Sequence, residues 1–326
     1  PTSPPVEEQA ASFMGDWPDT RYAMIFHETG GLPFGLGPPP ELLGKEPPEF
    51  TGKELDKEKE LLEHIERHAS AIRKAAPNAK IILGNSVTNF NVHWLRKKLP
   101  RTSWDYIGAE MAVQLFRPEG QPHGWNLQGL WIAKRMCEIY GYADIPITSC
   151  YEFDYRPTAP GALSLRDQAD WYTRDVLHCL AYRLPSINVG LLFDVDSAYY
   201  FSRWGSTGVC FRSPLMMPKP SYVALATLTR VLDQASYRRY LDTGSHALYC
   251  LEFAKQDGMV YALWTTTGKR DVQLALNDGT DACTLIDIMG REEERSVRDG
   301  KLDVTASESP CYLVTAQPLQ DVTAGR

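Results

Sequence analysis

The chain has 326 residues, 43% hydrophobic and 11% aromatic, with 41 acidic residues against 34 basic ones and a formal net charge of −7. That length accommodates a large domain plus a smaller one, and the acidic balance without a long basic run argues against a nucleic-acid groove. Seven scattered cysteines, an odd number with no close pair, argue against a disulfide framework or a zinc knuckle, and no apolar run reaches the ~18–20 residues of a membrane span.

In chain order, acidic Pro-rich residues and an amphipathic piece from Ala10 to Trp17 lead to Pro18-Asp19, which breaks it. The stretch Tyr22–Gly31 follows. Its residues Ala23 to Phe26 predict a buried parallel strand that delivers His27 and Glu28 to a loop at its C-terminal end. The next segment holds Gly30, Gly31, Gly35, Gly37 and three prolines at 38–40, which predicts a stiff excursion without regular structure. Thr51-Gly-Lys-Glu54 predicts a capping box. Behind it Leu55, Leu62, Ile65, Ala69 and Ile72 keep helical spacing until Pro77-Asn78 stops the helix.

A second strand over Ala79–Gly84 ends in Asn85. A short helix around Val92–Lys98 carries His93, and a third strand, Trp104–Met111, has Glu110 near its end. Gln121–Tyr140 predicts a helix with Leu127, Leu130, Trp131 and Cys137 inward. Ile145–Phe153 predicts a fourth strand carrying Glu152, and Ser164 caps a helix running to Tyr182. Ile187–Asp194 predicts a fifth, apolar strand, and Pro220-Ser221 starts a helix with Tyr222, Leu225, Leu228 and Leu232 inward. Alternating buried strands and amphipathic helices are the signature of parallel βαβ units.

After Arg239 the pattern changes. Short strands are expected at Ala247–Phe253, Met259–Thr266, Val272–Asn277, Ala282–Met289, Lys301–Thr305 and Tyr312–Ala316, with turns at 256–258, 277–279 and 299–300. They predict an antiparallel β-sandwich over 239–326, following an α/β domain over 1–238.

Two carboxylates carry the chemistry. Glu28 and Glu152 each close an apolar strand-like run, and a carboxylate at a buried strand end costs desolvation unless it is bonded or used. Two such groups facing each other equip a site for glycoside hydrolysis: one protonates the leaving oxygen, and the other attacks the anomeric carbon or activates water. His93 either lines such a site or packs a helix. Asp194 and Asp196 without further ligands do not make a metal site; polar ligands for sugar hydroxyls are the alternative. Trp125, Tyr155, Tyr199 and Trp204 in loops suit stacking on a sugar ring or ordinary packing.

These stretches resemble the C-terminal part of a clan A glycoside hydrolase, with family 39 the nearest arrangement. Tyr22–Thr29 is similar to that clan's fourth strand, Ile147–Phe153 to its seventh and Ile187–Asp196 to its eighth. Gly205-Ser-Thr-Gly-Val209 and Met217-Pro-Lys-Pro-Ser-Tyr222 resemble the following loop and last helix. Met259–Trp264, Asp287-Ile-Met-Gly290 and Pro310-Cys-Tyr-Leu313 resemble the C-terminal domain. The resemblance implies a (β/α)8 TIM barrel of which this chain supplies about strands 4–8. It implies a retaining mechanism with Glu28 as acid/base and Glu152 as nucleophile. It implies a sugar contact from His27 and needs no cofactor or metal; Asn85, His93, Glu110, Tyr155, Asp194 and Trp204 are the further candidates for substrate binding.

Two departures stand out. His27-Glu28-Thr29 replaces the usual Asn-Glu-Pro, and Tyr151-Glu152 replaces Thr-Glu, which leaves Glu110 as a rival carboxylate. Five strands cannot close an eight-stranded barrel, so the expected partner besides the sugar is a segment supplying strands 1–3, from another chain or a cleaved piece. A homo-oligomer is a further option. The protein is expected to be soluble, cytoplasmic or secreted, and a non-catalytic carbohydrate-binding protein on the same barrel is the competing function.

Overall fold

The computed structural model describes residues 4–26, 32–34, 38–84, 88–109, 117–120, 127–149, 155–277 and 280–324, which fall into two compact units. The first is built from α1 (Val6–Asp16), β1 (Tyr22–Ile25), α2 (Lys53–Ala75), β2 (Lys80–Leu83), α3 (Thr88–Arg96), β3 (Tyr106–Ala109), α4 (Leu127–Ile139) and β4 (Ile147–Ser149). Its four strands are parallel and lie in sequence order, β1-β2-β3-β4. Ile25, Leu83, Ile107 and Ile147 stand in one row across the sheet. The face they share is closed by helices, and Ile81, Leu83, Ile107 and Ala109 are fully buried. The opposite face carries Tyr22, Met24, Ile82 and Tyr106, of which Ile82 alone is buried. There Tyr22 meets Tyr106 edge-on across β2, ring centroids 5.8 Å apart. Side chains from alternate strands sharing a layer is how barrel interiors are filled.

Helix α2 forms because Leu61, Ile65, Ala69 and Ile72 make one buried stripe, with Glu54 and Asp56 in its first turn and Arg73 and Lys74 in its last. The expected capping box is absent: Gly52, at φ +55°, holds the N-cap, and no side chain caps the helix. In α4 the inward face is Leu130, Ala133, Met136 and Cys137, and Trp131 is exposed. A residue one step from Leu130 is rotated ~100° away from the apolar stripe.

The second unit contains α5 (Leu165–Ala181), β5 (Leu191–Phe193), β6 (Gly208–Cys210) and α6 (Pro220–Val231), followed by nine strands. These are β7 (Ser236–Tyr240), β8 (Leu248–Lys255), β9 (Gly258–Thr265), β10 (Lys269–Leu276), β11 (Ala282–Asp287), β12 (Glu292–Ser296), β13 (Lys301–Ser307), β14 (Cys311–Thr315) and β15 (Leu319–Ala324). They form two antiparallel sheets, β12-β11-β14-β9-β8-β7 and β13-β10-β15. Leu263 and Leu313 from the first sheet and Leu274, Val304 and Val322 from the second share one apolar core. Strands β7, β12 and β15 were not among the expected ones. All three are sheet edges, and two of them are rich in charge, Arg238-Arg239 in β7 and Glu292-Glu293-Glu294 in β12; edge strands keep water on one side, so these two lack a buried apolar run.

The expected strand Ile187–Asp194 is broken. Ser186–Asn188 runs beside β4, with Asn188 N–H donating to Ser149 Oγ at 3.0 Å, and the strand proper is Leu191–Phe193, paired in parallel with β6. Gly190 sits between them at φ +41°, where a Cβ would collide with the Tyr172 hydroxyl. Leu192 and Phe193 are exposed rather than buried. Helix α6 starts with Pro220 at its first position, but Ser221, Ala224, Leu228 and Val231 face inward and Tyr222 is exposed. Helix α5 begins with the Ser164–Asp167 capping box and is buried from Gln168 through Cys179, polar side chains included.

Candidate active site

The four parallel strands of the first unit end at one edge of the sheet. In the sequence His27 and Glu28 come directly after β1 and its following residue Phe26, Asn85 comes two residues after β2, Glu110 immediately after β3, and Glu152 three residues after β4. His27, Asn85, Glu110, Glu28 and Glu152 themselves lie outside the described residues. The strand ends that precede them belong to one sheet edge, the C-terminal one, where α/β folds carry their ligands.

Phe26 closes β1. Its backbone has φ +84°, a region that costs a bulky L-residue roughly 1–3 kcal/mol. Its ring is 8% exposed. It stacks on His64 at 5.2 Å and lies near-parallel to Trp94 at 6.4 Å, while Phe90 meets it edge-on at 5.2 Å.

His93 takes the helix-packing role. It is buried on α3, its Nε2–H donates to Glu58 Oε1 at 2.6 Å, and Phe34 and Phe50 lie against its ring. Burial pushes its pKa down to about 4, against the pull of Glu58, so the ring is neutral at pH 7. Burial works against the charge on Glu58, but Lys97 and His93 outweigh it and hold that carboxyl below its ordinary value. The unfolded chain protonates this histidine near pH ~6.5, whereas the folded chain does so only at about 4. Stability is therefore full above pH ~6.5 and falls as the pH drops towards 4, by roughly 3 kcal/mol over the whole interval. Urea midpoints measured from pH 7 to 4 should show this slope, and His93→Gln, which keeps a donor but does not titrate, should flatten it.

In the second unit, Asp194 lies just beyond β5 and is buried. Its Oδ1 accepts from Gly208 N–H at 2.9 Å and from Lys219 Nζ at 2.7 Å. The same ammonium donates to Thr158 Oγ1 at 2.8 Å. Lys219 thus ties together the end of β5, the 155–162 loop and the start of β6. Gly208 is required there, because a Cβ would collide with the backbone of Phe193 and Asp194. Two residues singled out by sequence meet at this junction: Tyr155, 8% exposed, contacts half-buried Trp204 edge-on with centroids 5.1 Å apart. Asp194 is committed to holding the junction, whereas Tyr155 and Trp204 form its aromatic wall.

A second buried ion cluster gives no signal in the sequence. Glu119, in the short turn Pro118–Gly120, accepts from Arg174 Nε at 2.9 Å and from Trp264 Nε1 at 2.8 Å, with His178 Nε2 at 3.4 Å. Burial opposes its charge, but His178 and Arg174 overcome this and hold the carboxyl well below the usual range. A carboxylate locked in its ionised form is a strut between a loop, α5 and β9, not a proton donor. Arg156 and Asp175 make a similar fully buried pair. No spacing rule picks out these partners, because they lie 19 to 145 residues apart in the chain.

Among the described residues no group of three or more His, Cys, Asp or Glu side chains is arranged to hold a metal ion, six cysteines are free thiols, and no helix is long and apolar enough to cross a membrane.

Sequential parallel βα units followed by antiparallel sheets coincide with solved structures. A family 39 glycoside hydrolase from the gut symbiont Bacteroides cellulosilyticus WH2 superimposes with a TM-score of 0.62 at 19% identity, over 78% of this chain and 54% of that one. The fold is that of glycoside hydrolases. A family 30 endoxylanase from Clostridium papyrosolvens C71 matches 95% of this chain and 71% of its own, with a TM-score of 0.57 at 10% identity. A family 30 subfamily 8 xylanase from Clostridium acetobutylicum matches 95% and 70%, with 0.53 at 8%. The chain spans about half the length of the family 39 enzyme. No protein-family model matches the sequence, and no curated protein matches it. The glycoside hydrolase fold therefore lies in the path of the backbone, which is far more alike than the side chains.

Proposed function

We propose that this chain carries the catalytic pair of a retaining glycosidase. Glu28 is the general acid/base, Glu152 the nucleophile, and His27 holds the substrate. The observation that carries this reading is the strand order: β1 and β4, which precede the two glutamates, are three places apart in one parallel sheet. That is the interval between the fourth and seventh strands of the clan A barrel that the sequence resembles. In a flat sheet three intervals of ~4.8 Å would hold the carboxylates about 14 Å apart. A sheet curled into a barrel brings inward side chains from such strands towards the ~5–5.5 Å of a retaining pair.

In the first step Glu28 gives its proton to the glycosidic oxygen as the bond to the anomeric carbon breaks, and the Glu152 carboxylate bonds to that carbon. In the second, Glu28 takes a proton from water, which attacks and releases Glu152. Asn85, Glu110, Tyr155 and Trp204 are the remaining candidates for sugar contacts. His93 Nε2 and Asp194 Oδ1 are engaged in hydrogen bonds inside the protein.

The same reading makes 1–238 a barrel portion with strands four to eight and 239–326 a β-sandwich. It expects a further polypeptide segment on the outer edge of β1. That edge has no strand partner among the described residues, and Tyr22, Ala23 and Met24 beside it are half-exposed. Parallel sheets are ordinarily covered on both faces. The test is a panel of nitrophenyl hexosides, pentosides and uronides, with the chain sized by sedimentation in the same preparation. Hydrolysis of one sugar class with retention of configuration supports the catalytic reading. Sugar binding without hydrolysis favours a carbohydrate-binding protein instead, and a stable monomer with full activity rules out the added segment.

A further inference from the structure

One cavity of the second unit has no part in the catalytic reading. It has a volume of roughly 400 Å³ and lies where the C-terminal ends of α5 and α6 meet the edge strand β7. Its walls divide by chemistry. Leu180, Leu232 and Phe253 supply an apolar side, to which Tyr237 adds its ring, edge-on to Phe253 with centroids 5.7 Å apart. Arg183 and Arg238 supply charge, and none of the described lining residues is acidic. Neither guanidinium makes a hydrogen bond or an ion pair among the described residues. A cation at a helix C-terminus commonly serves the last carbonyls, but here other groups do so. Leu180 C=O accepts from the Arg183 backbone N–H at 2.9 Å, Leu232 C=O from Ala235 N–H at 2.9 Å, and Val231 C=O from Lys255 Nζ at 3.3 Å. Arg183 also has a left-handed backbone, φ +57°. Glycine is the ordinary residue in that conformation, and strain of this kind collects at ligand clamps. The chain keeps a long cationic side chain there, and that side chain lines the cavity.

We propose that this cavity is a binding site for a small organic oxyanion, a carboxylate or phosphate carried on an apolar body. Arg183 and Arg238 take the oxyanion through charge-assisted N–H donors, and Leu180, Leu232 and Phe253 take the apolar body. The volume falls within the ~300–1,000 Å³ of small-molecule sites, and an apolar lining with a few polar groups is their usual make-up. With a net charge of −7 on the whole chain, attraction of an anion here is a local property of these two side chains. The site lies within the second unit and does not depend on the glycosidase reading.

The experiment titrates the full chain with phenylacetate, phenyl phosphate, the neutral phenylethanol and inorganic phosphate, followed by ligand-detected NMR. The variants are Arg183→Gly, which suits the left-handed backbone, and Arg238→Ala on the exposed sheet edge. Circular dichroism melts establish that each is folded, and should one not fold, the other decides. The expected result is saturable binding of an aryl anion with a Kd on the order of 1 mM, with phenylethanol and inorganic phosphate at least about tenfold weaker and a loss of about tenfold in each variant. The tighter of the two aryl anions identifies the headgroup. Four results overturn the proposal: no saturable binding of either aryl anion, equal affinity for phenylacetate and phenylethanol, inorganic phosphate binding as tightly as phenyl phosphate, or unchanged affinity in a folded variant. None of these bears on Glu28 or Glu152, so the catalytic reading stands or falls separately.

Discussion

Glu152→Ala is expected to lower turnover of an activated aryl glycoside by on the order of 10⁴–10⁶-fold, the scale of removing a covalent nucleophile. Sodium azide should restore a measurable part of it. The small anion occupies the space left by the carboxylate, its nitrogen bonds to the anomeric carbon as the aryloxide leaves, and the product is the glycosyl azide of inverted configuration. Glu28→Ala should behave differently. It should keep the first step on activated substrates, stall at the second, and give with azide the product of retained configuration, because azide then attacks the glycosyl-enzyme. The two stereochemical outcomes assign the roles separately. Glu110, the rival carboxylate, should give neither rescue when replaced by alanine. Wild-type rates in Glu152→Ala would sink the nucleophile assignment.

Lys219→Met should be strongly destabilising. The ammonium is fully buried, and its removal leaves the Asp194 carboxylate, itself buried, with Gly208 N–H as its remaining partner. Stranding a buried charge in this way costs about 3–5 kcal/mol. The loss should appear as a lowered urea midpoint. Burial pushes Lys219 down from its ordinary pKa, in spite of Asp194, and pushes Asp194 up, in spite of Lys219. Desolvation thus outweighs attraction on both sides, so the pair gives little net stability over neutral groups. The double variant Asp194→Asn, Lys219→Met should therefore recover to within about 1–2 kcal/mol of wild type. Additive losses in the double variant would show that Lys219 acts through Thr158 and the 155–162 loop rather than through Asp194.

The regular elements were legible where one physical period dominates. The stripe Leu61, Ile65, Ala69 and Ile72 marks α2, and the Ser164–Asp167 pair marks the start of α5. The central strands of the C-terminal sheets also read correctly, because β9 and β14 are apolar on a buried face and bounded by turns. Edge strands escaped, since β7 and β12 expose most of their side chains. So did the break at Gly190, where apolar sequence continues but the backbone must leave room for Tyr172.

Within the candidate site, composition and order alone determine which carboxylates follow apolar strands: Glu28, Glu110 and Glu152. That is a local property, since an acidic side chain next to a buried run is visible in a few residues of sequence. Only the tertiary structure decided that the strands before them lie side by side, parallel and in order, with their C-terminal ends on one edge. It alone showed that His93 Nε2 is bonded to Glu58 and Asp194 Oδ1 to Gly208 and Lys219, and that Tyr155 and Trp204 meet as a pair. It also revealed the Glu119 cluster and the strained backbone of Phe26. Burial and φ depend on what packs around a residue from distant parts of the chain, and no window of sequence contains those neighbours.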